Sequence, residues 1–306
     1  MIKMRIDVHQ HVWTEPLVAA LERRDRLPFV RREGRLCIVH VAGETPSAVD
    51  LDAERPAARA ALLQRDGVDR ALIAMSSPLG IEALPRSEAQ KLIGAHLDGV
   101  DELGEGFGAW GPLPLDGIAA GDVDAVLARG CVGVSLPAGA LSAPSGLDAL
   151  HSVLARIERL KVPLFIHPGP GLAQRLPDPS LTDPLWWPAL TRYVAQMQEA
   201  WLALSAIARR EHPGLQILYA MLAGGAPLLS ERLAVRGGPD LNVDSRLDYY
   251  DTSSYGPAAV SAMAQRVGLS RLVHGSDRPV AEPLVTGFDT ELRENGAWLV
   301  RAQVPA

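Results

Sequence analysis

Apolar residues fall in short runs separated by glycine, proline and polar clusters. Eight of these runs read as β-strands, at 4–12, 71–76, 106–111, 132–136, 163–167, 216–221, 247–252 and 271–276. Between them the pattern shifts to a helical period. Residues 147–160 carry Leu150, Leu154, Ile157 and Leu160 on one stripe, and residues 188–210 do the same with Val194, Met197, Trp201, Leu204 and Ile207. Residues 122–129 and 253–267 follow the same rule. Strands alternating with helices predict a parallel sheet with right-handed crossovers.

The spacing narrows the architecture. With His9, Met75, Trp110, Leu136, His167, Met221, Asp251 and Asp277 marking the strand ends, the gaps are 66, 35, 26, 31, 54, 30 and 26 residues. Five are the length of one βα unit; the first and fifth hold extra chain. An α/β fold of the (β/α)8 TIM-barrel type, of ~250 residues, with insertions at about 14–64 and 168–187, accounts for residues 1–306 as one domain. The first insertion contains FVRREGRLCIVHV, a hairpin turning at Glu33-Gly34. The second is rich in proline and tryptophan and reads as a loop cap. A doubly wound open sheet is the competing architecture, and no G-x-G-x-x-G follows the first strand to support it.

Composition removes several function classes. With 30 Lys+Arg against 36 Asp+Glu, the net charge is −6, so there is no cationic excess to neutralise nucleic acid phosphates. Cys37 and Cys131 are the only cysteines; they exclude a disulfide framework and a Cys-rich zinc site, and they fit a reducing cytosol. The longest uncharged stretches, 130–147 and 212–230, are interrupted by glycine and proline and do not read as membrane spans. The expectation is a cytoplasmic protein acting on a small molecule, with a homodimer as its candidate assembly and neither nucleic acid nor membrane as a partner.

Asp7-Val8-His9-Gln10-His11 ends the first strand. Strict alternation puts Asp7, His9 and His11 on one face and Val8 and Gln10 on the other. Two imidazoles two residues apart can share a divalent ion, and neutral imidazole suits Zn²⁺. His167 ends the fifth strand just before Pro168-Gly169, and Asp277 follows the last strand just before Arg278-Pro279. In a barrel, C-terminal strand ends assemble the active site, and the first and last strands are neighbours. His9, His11, His167 and Asp277 thus read as one metal site. Taken singly, each also fits a plain structural role, a capped loop for Asp277 and a surface position for His167.

The motifs D-x-H-x-H, I-H-P-G, Tyr250-Asp-Thr-Ser-Ser-Tyr255-Gly and G-S-D-x-P resemble the amidohydrolase superfamily. They are most similar to the amidohydrolase-related branch that contains aminocarboxymuconate-semialdehyde decarboxylase and related nonoxidative decarboxylases and hydrolases. The resemblance runs from Asp7 to Pro279. It implies a (β/α)8 barrel with one divalent metal, usually zinc, held by His9, His11, His167 and Asp277. The chain departs from the branch at the sixth strand. The A-H-x-G-G-x-x-P pattern reads Ala220-Met221-Leu-Ala-Gly-Gly-Ala-Pro227 here, with Met221 where the branch has histidine. A thioether takes no proton from water, which leaves Asp277 as the replacement base.

The expected activity is metal-dependent hydrolysis of a small carboxylated or aromatic substrate, by water that a bound metal makes acidic enough for Asp277 to deprotonate. A nonoxidative decarboxylase of the same superfamily is the first alternative. A non-catalytic metal-binding barrel, made so by Met221, is the second. Trp13, Trp110 and Trp186, with Trp187, are candidate pocket walls, and Arg278 is the candidate anchor for a substrate carboxylate. Arg31, Arg32 and Arg35 read as a solvated hairpin face. His274 falls out of phase with Asp277 and should pack under a helix. His96, His151 and His212 read as surface residues, and His40 lies on the insertion.

Overall fold

Strands that are apolar on both faces form a sheet that must be covered on both sides. The computed structural model describes residues 4–174, 176, 184–241 and 245–297. In chain order the strands are β1 (Ile6–Gln10), β2 (Phe29–Glu33), β3 (Leu36–His40), β4 (Ser47–Asp50), β5 (Arg70–Ile73), β6 (Phe107–Pro112), β7 (Gly133–Pro137), β8 (Leu164–His167), β9 (Ile217–Tyr219), β10 (Asp248–Asp251) and β11 (Leu272–Val273). The helices are α1 (Glu15–Glu22), α2 (Pro56–Asp66), α3 (Arg86–Asp101), α4 (Ala120–Ala128), α5 (Pro144–Leu160), α6 (Trp187–Leu190), α7 (Arg192–Leu202), α8 (Ser230–Val235), α9 (Pro257–Val267) and α10 (Asp289–Asn295). Every position of β1, β7, β8, β9 and β10 is buried.

Eight strands pair in parallel in the order β1-β5-β6-β7-β8-β9-β10-β11. The ends of that series meet: Val8 N donates to His274 O at 2.9 Å, Asp277 N to His9 O at 2.9 Å, and His11 N to Arg278 O at 2.6 Å. The fold is a (β/α)8 TIM barrel, and all eight predicted strands are present. Its closing seam brings His9 and Asp277 together.

Between β1 and β5, the strands β2, β3 and β4 form a separate antiparallel sheet. The predicted hairpin turns where Glu33 pairs with Leu36, with Gly34 at φ 66° supplying the left-handed turn residue. β4 has no counterpart in the sequence reading, because Ser47–Asp50 is short and nowhere fully buried, so no alternation marks it. The segment 168–187 includes 175 and 177–183, which lie outside the described residues.

The single helix predicted over 188–210 is divided. Thr191 leaves helical geometry at ψ −80°, and a π-helical turn at Ala203–Ile207 follows α7. The helix predicted from 253 begins at Pro257, whose ring fits the first helical turn, and this frees 253–256 for the barrel mouth.

Candidate metal centre

His9 and His11 leave the end of β1, His167 ends β8, and Asp277 follows β11. Each offers one ligand atom, and these four atoms lie within 4.8 Å of one another. The imidazoles stand nearly perpendicular, at 89°, 90° and 85°, with all three centroid separations 4.9 Å. The nitrogens His9 Nε2 and His11 Nε2 are 3.1 Å apart, and Asp277 Oδ1 lies 3.5 Å from the first and 3.2 Å from the second.

Strict alternation does not deliver this arrangement. The register of β1 against β5 slips between Asp7 and Gln10, placing three residue steps opposite two. Asp7 and Gln10, expected on opposite faces, are hydrogen bonded to each other at 2.7 Å, and Asp7 also accepts from Ser276 N. The bulge takes Asp7 out of the His9–His11 set.

Partners on the far side of each ring settle which nitrogen is bare. His11 Nδ1 faces Ala74 O at 2.9 Å and His167 Nδ1 faces Pro168 O at 2.8 Å; a carbonyl only accepts, so both Nδ1 atoms carry hydrogen. His9 Nδ1 donates to Asp251 Oδ2 at 2.8 Å. With His9 neutral, all three Nε2 atoms turn lone pairs toward one point, together with a carboxylate oxygen. Such a convergence could hold a cation, and the N₃O donor set fits a borderline divalent metal.

The electrostatics agree. Burial works against a charge on His9, but the Asp251 carboxylate overrides it and lifts the pKa to about 9. Without a metal, His9 accordingly holds the inner proton. His167 is pushed well below the usual range by burial and by the facing His9 and His11. Burial favours the neutral form of Asp277, but its contact with His11 and the charge on His9 prevail and hold it at about 2.

Asp251 is the residue that the sequence reading passes over. It is fully buried and accepts from His9 Nδ1, Met221 N at 3.0 Å, Ser253 N at 3.0 Å and Ser253 Oγ. The signal was available, since Asp251 lies inside the Tyr250–Gly256 motif at a strand end. Gly275 makes room for this pair, because a Cβ there would stand 2.8 Å from Asp251 Cγ and 3.0 Å from His9 Cβ. Met221 meets the site through its backbone. It opens a run of left-handed residues, Met221, Leu222, Ala223, Gly224 and Gly225, with φ from 50° to 76°.

The remaining candidates are placed elsewhere. Trp110 is sealed beneath the site; its Nε1 donates to Val8 O and its ring stacks on Phe165, which in turn abuts His9. It is a floor rather than a pocket wall. Arg278 is buried and committed to Asp66 at 2.8 Å and Glu282 at 2.5 Å, so it is not a free carboxylate anchor. Trp13 lines a cavity of about 410 Å³ between the inserted sheet and α3, and none of the four converging residues lines it. Trp186 is exposed and tilted against Trp187.

His40 stacks on Phe29 within the inserted sheet. His274 packs under α10, as expected, its N–H donating to Leu292 O. His96 and His212, expected in solvent, are both buried, because helical and loop histidines carry no burial signal in an isolated sequence. Arg32 pairs with Glu15 and Glu22, and Arg35 with Asp50, within the insertion.

No sequence family matches the chain, and no curated protein does. Solved structures do. IDCase from Metarhizium anisopliae, in apo form, aligns with a TM-score of 0.76 at 16% identity over 99% of this chain and 98% of that one. The 5-carboxyvanillate decarboxylase from Novosphingobium aromaticivorans, complexed with manganese and 4-hydroxy-3-methoxy-5-nitrobenzoic acid, aligns with a TM-score of 0.67 at 16% identity over 98% and 93%. The 2,6-dihydroxybenzoate decarboxylase from Rhizobium aligns with a TM-score of 0.66 at 16% identity over 99% and 100%. At these identities the likeness establishes the barrel fold. Among the described residues, no helix is long and apolar enough to cross a membrane.

Proposed function

We propose that this chain is a metal-dependent nonoxidative decarboxylase of the amidohydrolase superfamily, acting on a small aromatic or unsaturated carboxylic acid. The observation that carries the metal dependence is the convergence of three imidazole nitrogens with an Asp277 carboxylate oxygen. His9, His11, His167 and Asp277 would hold one divalent ion, with Zn²⁺ as the first candidate from the nitrogen-rich set and manganese as the ion of a structural neighbour. The ion supplies positive charge that holds an acidic substrate and offsets the charge left on carbon when CO₂ departs.

The carboxy-lyase reading displaces hydrolysis for two reasons. Hydrolysis needs a base for water, and the sixth-strand position holds Met221, whose thioether cannot serve as one. The similar structures also include decarboxylases of aromatic acids.

In decarboxylation the electron pair of the breaking C–C bond stays on the substrate carbon, which then takes a proton. Asp277 is the carrier. Its Oδ1 faces the imidazoles, whereas its Oδ2 lies 3.4 Å from Ser254 Oγ. Its side chain is 14% exposed, against 1% and 3% for His9 and His11, so substrate meets Asp277 first. An arriving carboxylate places like charge beside Asp277, raises its pKa and lets it take up the proton it delivers to carbon.

The test is turnover of a panel of hydroxybenzoic acids by protein loaded with Zn²⁺ or Mn²⁺, in D₂O. CO₂ equimolar with product, and one deuterium at the vacated carbon, are expected. Alcohol or amine release from esters or amides without CO₂ would return the hydrolase reading. Stoichiometric metal with no turnover would leave a metal-binding barrel.

A further inference from the structure

We propose a second metal site, independent of the barrel mouth and of the activity proposed above, built by His151, Glu211 and His212. Each offers one ligand atom, and the three atoms lie within 4.8 Å of one another. His151 belongs to α5, while Glu211 and His212 lie on the chain entering β9. The site thus flanks the N-terminal ends of the strands, whereas the first centre occupies the C-terminal ends.

The arrangement is more than a surface ion pair. His151 Nδ1 and Glu211 Oε2 are 3.2 Å apart on two well-exposed side chains, a contact that alone contributes little. His212 changes its character. Its ring is buried, lies 5.0 Å from that of His151, and is tilted 46° to it rather than stacked. Behind it, Glu158 Oε2 stands 3.3 Å from His212 Nδ1, and Glu158 Oε1 accepts from Gly214 N at 2.6 Å. The backbone fixes Glu158, Glu158 fixes the tautomer of His212, and Nε2 is left as the lone-pair nitrogen. A carboxylate orienting a histidine in this way is the usual outer support of a bound metal.

Two imidazoles and one carboxylate select a borderline divalent cation such as Zn²⁺ over Ca²⁺ or Mg²⁺, which prefer all-oxygen sites. Three protein ligands leave a position for water. Exposed His151 and Glu211 give the ion access, and buried His212 supplies a prepositioned donor. The bound ion would tie α5 to the entry of β9, on the barrel face where interactions serve stability rather than chemistry.

Equilibrium dialysis of the metal-stripped full chain against ZnCl₂, with elemental analysis, tests this. Wild type should take up two ions per chain, the second more weakly. His151→Ala and Glu211→Gln should each lose the weaker ion and keep the first, and His167→Ala should do the reverse. Glu158→Gln should weaken the second ion by roughly 10–100-fold; a salt bridge without metal predicts no change in zinc binding there. Occupancy of the second site should raise Tm by about 2–4 °C in wild type and not in His151→Ala. One ion per wild-type chain, or two retained in both His151→Ala and Glu211→Gln, would overturn the proposal.

Discussion

At the scale of single residues, each imidazole of the candidate centre is held from behind by an acceptor. Asp251 does this for His9 while also accepting from Met221 N and Ser253. Asp251→Asn removes the charge that favours proton or metal on His9, and metal affinity should fall by roughly 10–100-fold, read by dialysis against a chelator. The pKa shifts set a pH dependence for the metal-free protein. His9 is raised to about 9, so its contribution to stability is complete below its unfolded value near 6.5 and is lost as pH rises through 9. Asp277 is depressed to about 2, so its contribution is present above its unfolded value near 3.8 and is lost as pH falls through 2. A metal bound at the candidate centre would take the place of the His9 proton. The Tm difference between metal-loaded and metal-free protein should therefore widen from pH 6.5 to 9, and a constant difference would rule out His9 as the competing site.

At the scale of elements, the β1 end is positioned by α2. Arg59 donates to Gln10 Oε1 at 2.6 Å and His11 O at 2.9 Å and pairs with Glu54, all of them buried. Arg59→Met strands the Glu54 charge and should destabilise the protein by about 3–5 kcal/mol, measured by urea unfolding. On the opposite side of the seam, Gly275→Ala forces a methyl group against Asp251 and His9. A cost of about 1–3 kcal/mol is expected, with metal retention reduced as well, because the clash falls on the orienting pair itself. These elements were legible to different degrees. The β2–β3 hairpin was readable from a glycine between two alternating runs, whereas β4 and the break at Thr191 were not, since neither changes the apolar period.

At the scale of the whole molecule, a metal held by His9 and His11 from β1, His167 from β8 and Asp277 beyond β11 would link the two ends of the strand series. Removing it with a chelator should lower stability by about 4 kcal/mol relative to protein at 1,000 times the dissociation constant. That loss should register as a fall in Tm that added Zn²⁺ reverses. His167→Ala should abolish the difference.

From the sequence alone came the barrel, its eight strands and the four residues that converge. Each of those features is written locally: an apolar run, a break after it, and a histidine or aspartate at the end. What a residue touches across the fold is written in no such pattern. The bulge that separates Asp7 from His9, the carboxylate of Asp251 behind the imidazole, the burial of His212 and the commitment of Arg278 to Asp66 each depend on partners distant in the chain. Only the closed barrel, by bringing segments from about fifty to more than two hundred residues apart into contact, decided them.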